Sequence, residues 1–152
     1  MNNQNIILLP DFLDFDVYPF DEKAWEGICT GGNEKGLLVV LNKEQAPDSA
    51  LVFLTKILSA AKFDLEKDVL LCQLPNDTNI PFQSICNHNE IKHVILFDVN
   101  QKQIALNINL PTYQPVQWSN YQILKVDNLS KIEQTKALKG GLWSALKTMF
   151  LK

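Results

Sequence analysis

Leu37-Leu38-Val39-Val40-Leu41, followed at once by Asn42-Lys43-Glu44, is the stretch that decides the fold. A short, unbroken apolar run that stops in a polar loop is how a parallel strand buried on both faces looks. Two further runs repeat the pattern. Val69–Leu74 stops at Pro75-Asn76-Asp77, and His93–Phe97 stops at Asp98-Val99-Asn100. Tyr121–Val126 reads as a fourth strand. Between the first two strands, Pro47 suits the first turn of a helix, where its missing N–H costs nothing. Leu51, Leu54, Ile57, Leu58 and Ala61 then recur at helical spacing. Residues 80–88 predict a short helix with Ile80, Phe82 and Ile85 inward, and residues 130–150 predict a final one with Leu138, Leu142 and Leu146 on one face. Strands alternating with helices imply an α/β protein. The expected architecture is a three-layer α/β/α sandwich around a central, four-stranded, mostly parallel sheet.

Outward from this frame, the 152 residues read as a single domain. Residues 1–30 form an apolar N-terminal arm, packed on or extending from an α/β body spanning 36–150. The arm, Ile6-Ile7-Leu8-Leu9-Pro10-Asp11-Phe12-Leu13-Asp14-Phe15-Asp16-Val17-Tyr18-Pro19-Phe20, is too rich in Leu and Phe for a free tail. Gly31-Gly32-Asn33-Glu34-Lys35-Gly36 precedes a strand. A loop that cradles phosphate must follow one and open a helix, so this cluster is a turn. Residues 101–110 read two ways, as an alternating strand or as a helical turn. Gly140-Gly141 falls inside the last helix, where each glycine costs about 1 kcal/mol against alanine. Close approach of another backbone is the expected compensation.

The composition narrows the function classes. The apolar fraction is 46% and the charged fraction 20%, ordinary for a globular chain. No apolar run reaches the roughly 20 residues of a membrane span, and the first residues lack a basic signal-peptide region. Both point to a cytoplasmic protein. Net charge is −3, and none of the 14 basic residues is arginine. Arginine is the side chain that forks onto guanine and phosphate, so specific DNA reading is not expected. Lysines gather towards the C-terminus and read as a solvated helix face. Cys29, Cys72 and Cys86 are odd in number, and no two have metal-type or redox-type spacing. No metal and no cofactor is expected.

The loops that end the strands are where an α/β sheet would bind a ligand. Asn42, Glu44, Asp77 and Asp98 are the catalytic candidates there. Asp98 follows a buried strand directly and reads as a functional carboxylate or as a turn initiator. Asn76 to Asn79 are strong turn formers. Neither His88 nor His93 stands where a general base belongs. Tyr113, Trp118 and Tyr121 form an aromatic group that reads as packing or as a contact patch.

Tyr121-Gln122-Ile123-Leu124-Lys125-Val126-Asp127-Asn128-Leu129-Ser130-Lys131-Ile132, then Lys136, then Leu142-Trp143-Ser144-Ala145-Leu146, resembles the C-terminal third of the psi subunits of bacterial DNA polymerase III. Those subunits have the uracil-DNA glycosylase fold, whose four parallel strands lie between helices. The resemblance implies a glycosylase-like fold and a protein-binding role in a DNA-replication clamp-loader assembly, with other subunits as partners. The glycosylase superfamily itself carries a first loop of the type Gly-Glu-x-Pro-Gly and a His-Pro-Ser loop after strand four. Asn42-Lys43-Glu44-Gln45-Ala46-Pro47-Asp48 keeps the Glu and the Pro but neither glycine. Val126-Asp127-Asn128-Leu129-Ser130 has no histidine, so a leaving base would lack its electrostatic partner. The expectation is therefore a non-catalytic binding subunit. Phe12, Phe15, Tyr18 and Trp118 are its contacts, and Trp143 and Phe150 belong to the core. The alternative is a hydrolase or nucleotide-binding enzyme using the strand-end crevice.

Overall fold

The computed structural model describes residues 28–43, 48–75, 82–99, 101–104, 106, 108–118 and 120–150. Six strands occur in it: β1 (Cys29–Thr30), β2 (Leu37–Asn42), β3 (Val69–Leu74), β4 (His93–Phe97), β5 (Val116–Trp118) and β6 (Tyr121–Val126). The helices are α1 (Asp48–Ala60), α2 (Phe82–Asn89), α3 (Leu129–Gln134) and α4 (Lys136–Phe150). The strands form one sheet in the order β1-β3-β2-β4-β6-β5. The four apolar runs of the sequence are its parallel centre, β3-β2-β4-β6. A four-stranded sheet is nevertheless too few. β1 and β5 add an antiparallel strand at each edge. At two and three residues they are too short to carry a periodic signal.

Successive side chains of the central strands point to opposite layers. Leu38, Val40, Leu70, Cys72, Val94, Leu96 and Ile123 face α2 and the chain around Ile104, Leu106 and Leu110. Leu37, Val39, Leu41, Val69, Leu71, Ile95, Phe97, Leu124 and Val126 face α1, α3 and α4. Both layers are dry. Every described residue of the core is apolar. This double coverage is why the strands read as unbroken apolar runs rather than as alternations.

Three local expectations need correction. Of the two readings of residues 101–110, the strand is not seen among the described residues, while Gln101–Ile104 forms a 3-10 helical turn. The alternation there reflects burial of Ile104, Leu106 and Leu110. The last helix is two helices that part at Thr135. Asn128 caps α3, its side-chain oxygen accepting from the Lys131 N–H. Thr135 is extended at φ −123 and ψ 110, which ends α3, and its carbonyl accepts from the N–H groups of Leu138 and Lys139 to start α4. At the far end of α4, the Phe150 ring lies edge-on to Phe63 at 4.8 Å and to His93 at 4.7 Å.

The glycine pair of α4 is accounted for by a side chain, not by a neighbouring backbone. A Cβ on Gly141 would lie 3.4 Å from the Tyr113 ring, whereas one on Gly140 would meet open space. Gly140→Ala should therefore stabilise the protein by about 0.5–1 kcal/mol. Gly141→Ala should gain less, because the added methyl presses on Tyr113. Urea midpoints of the two variants check the ordering. In the turn before β2, Gly31 has φ +117, and a Cβ there would collide with the Val69 carbonyl. The cluster is a turn, as its position before a strand requires.

Candidate functional site

The C-terminal ends of the parallel strands lie along one edge of the sheet. Taken alone, the parallel strands run in the order second-first-third-fourth, so the chain switches direction between β2 and β4. Open α/β sheets bind ligands at such a point. Asn42 ends β2, Asp98 follows β4, and Asp127 follows β6. The pairing of Leu41 with Phe97, and of Phe97 with Val126, sets these three residues in one row. Glu44 and Asp77, the other two candidates, lie outside the described residues.

The row is largely occupied with structure. The Tyr113 hydroxyl donates to Asp127 Oδ2 at 2.8 Å, and Lys131 Nζ lies 3.6 Å from Asp127 Oδ1. Burial, assisted by the bond to Asp127, pushes the Tyr113 hydroxyl up to about 12, so it stays a donor. Lys125 Nζ donates to Gln101 Oε1 at 3.3 Å. Gln101 Nε2 in turn donates to the carbonyls of Leu106 and Ile108. These bonds fasten residues 101–113 to β6. Asp98 is exposed at φ 53, and its N–H donates to the Val126 carbonyl. That is the turn-forming role, since Asp tolerates the left-handed region. Among the described residues, no three His, Cys, Asp or Glu side chains gather to hold a metal.

A different surface has the properties of a recognition site. Phe53, Lys56, Ile57 and Ala60 of α1, Glu133 of α3, and Lys139, Leu142 and Trp143 of α4 line a cleft of about 420 Å³. Its floor is apolar. The Lys139 ammonium stands 5.8 Å from the centre of the Phe53 ring, a cation–π contact at the rim. Val52, beside this surface on α1, is 56% exposed and is the most exposed large apolar side chain of the described residues. Lys131, Lys136 and Lys147 are also exposed on α3 and α4. The helix layer around the cleft is thus basic, although the chain as a whole carries −3.

Phe12, Phe15 and Tyr18, the expected contacts of the arm, lie outside the described residues. Trp118 sits in β5, partly buried against the α2-side core, with its indole N–H buried and unpartnered among the described residues. Trp143 and Phe150 are only partly buried, and Trp143 faces the cleft. The cleft had a signal in the sequence. The fully buried residues of α1 are Ala50, Leu54 and Leu58. Leu51, Phe53 and Ile57 pack against the same core but stay partly exposed, which widens the apolar stripe towards the cleft.

No protein-family model matches this chain, and no curated protein matches it. Among the described residues, no helix is long and apolar enough to cross a membrane.

Proposed function

We propose that this chain is a protein-binding subunit without catalysis of its own, of the kind the psi resemblance implies. The observation that carries the reading is the α1–α4 cleft. It has an apolar floor of Phe53, Ile57, Leu142 and Trp143, and Lys56 and Lys139 at its rim. Wide grooves between helices accept apolar side chains of a partner segment, with charges at the rim setting the register. The two lysines outweigh the single carboxylate of Glu133 in the lining, which favours as occupant a short apolar segment of another subunit that carries carboxylates. The psi-like residues include Leu142 and Trp143 of the cleft floor, so the resemblance and the surface share that pair. The glycosylase-like fold belongs to the same reading, supported by the four parallel strands and their order.

The test is affinity recovery from the parent cell with the tagged full chain, followed by identification of the captured proteins. Clamp-loader subunits should come down with the wild type. Capture should fall at least tenfold with Lys56→Glu/Lys139→Glu, because two rim charges turn from attractive to repulsive. Both side chains are exposed at the rim, so the double variant should keep the wild-type melting temperature. A clean recovery with stable monomeric behaviour overturns the reading, and so does undiminished capture by the double variant.

A further inference from the structure

Cys29 and Cys72 stand forty-three positions apart in the chain, yet the sheet makes them direct partners across β1 and β3. Cys29 is 6% exposed and Cys72 is fully buried, both in the α2-side core. Their side chains therefore share one face of the sheet. The Gln73 N–H donates to the Ile28 carbonyl at 3.1 Å, one step along the ladder. In an antiparallel pair, hydrogen-bonded and non-hydrogen-bonded positions alternate, so Cys29 and Cys72 occupy a non-hydrogen-bonded one. There the Cα atoms are about 4.5 Å apart and the side chains approach most closely. That spacing lies inside the range that a disulfide spans. The proximity of Cys29, together with burial, raises the Cys72 thiol. Cys86, the third thiol, belongs to α2 and is pushed up to about 12 by burial.

We propose that Cys29 and Cys72 are a redox pair, which a small-molecule disulfide converts into a cross-strand disulfide that closes β1 onto β3. β1 is two residues long and lies at the sheet edge, and such elements open locally at low cost. Opening admits water and oxidant to both thiols. Cys29 loses its proton and its sulfur attacks one sulfur of the oxidant RSSR, forming a mixed disulfide and expelling one thiolate. Cys72 then loses its proton and attacks the Cys29 sulfur, expelling the second. Two cysteine thiols and one RSSR become one protein disulfide and two RSH, with two electrons passed to the oxidant.

Oxidation of the full-length chain by oxidised glutathione, followed by peptide mapping, tests the pair. A Cys29–Cys72 link should form in the wild type and in Cys86→Ser. It should be absent from Cys29→Ser and Cys72→Ser. The oxidised wild type should melt about 5–10 °C above the reduced protein, because the link closes a long loop in the unfolded chain. Mapping on the wild type alone decides the matter where a serine variant fails to fold. No link, a link through Cys86, or a Cys29–Cys72 link that leaves the melting temperature unchanged or lower overturns the proposal.

Discussion

Leu54→Ala is expected to remove about 3 kcal/mol of stability and to lower the thermal midpoint by roughly 6–12 °C. Leu54 has no exposed surface. It lies on α1 in the same core as Leu37, Val39, Ile95 and Leu124 of the sheet and Leu129 and Ile132 of α3. The cavity left by truncation would have a hydrogen-bonded sheet for one wall and helices for the others. Such walls collapse little, so the cavity term adds to the lost transfer free energy of the side chain. Val52→Ala is the internal control. It lies on the same helix but is 56% exposed, and should change stability by no more than about 0.5 kcal/mol. Urea unfolding with unchanged denaturant dependence measures both. A loss below about 1 kcal/mol for Leu54→Ala would mean that α1 does not pack on the sheet as described.

The second large effect is loss of stability at alkaline pH. The Tyr113 and Tyr121 hydroxyls are each pushed up from 10.0 to about 12. Burial dominates in both. At Tyr113 the hydrogen bond to Asp127 adds to it, and at Tyr121 the nearby Cys86 does so. The neutral phenol is the form that suits the folded environment. Below pH 10 both states hold the proton, and the contribution is fully present. Between about pH 10 and 12 the unfolded chain ionises while the folded chain does not, so stability falls as pH rises. Tyr121 is only 4% exposed, and for it the loss should be on the order of 1–2 kcal/mol. Melting temperature followed from pH 8 upwards should drop across this window, in step with tyrosinate absorbance. The buried Cys86 thiol, raised from 9.0 to about 12, adds a loss that begins near pH 9, so of the two tyrosine variants Tyr121→Phe should flatten the drop above pH 10 more than Tyr113→Phe. An equal slope in wild type and both variants would show that other groups govern the alkaline limit.

The parallel centre of the sheet was legible because burial on both faces writes itself as continuous apolar runs. Leu37–Leu41, Val69–Leu74 and His93–Phe97 carry that signal, Tyr121–Val126 carries it broken by Gln122 and Lys125, and all four are strands. β1 and β5 were not legible. Pairing by two or three residues leaves no period to detect, and their partners are distant or separated by a turn. The Cys29–Cys72 pair was hidden for the same reason, since contact across a ladder has no fixed spacing in sequence. Tyr113 against Gly141 was hidden because a ring and a glycine from separate elements meet only after folding. The cleft was half legible. α1 shows more apolar positions than one core face can use, but their meeting with Trp143 depends on how α4 turns back after Thr135.

The parallel centre has a consequence for the life of this protein in a crowded solution. Four mostly apolar strands would, if cut off square at the margins, offer two open rows of N–H and C=O groups. Those rows are templates on which another chain can grow a sheet. β1 and β5 occupy them with strands that are short and run against the rest. Among the described residues, an incoming strand therefore meets edge strands of two or three residues instead of six. The same pieces that leave almost no trace in the sequence act as stoppers against fibre-like assembly.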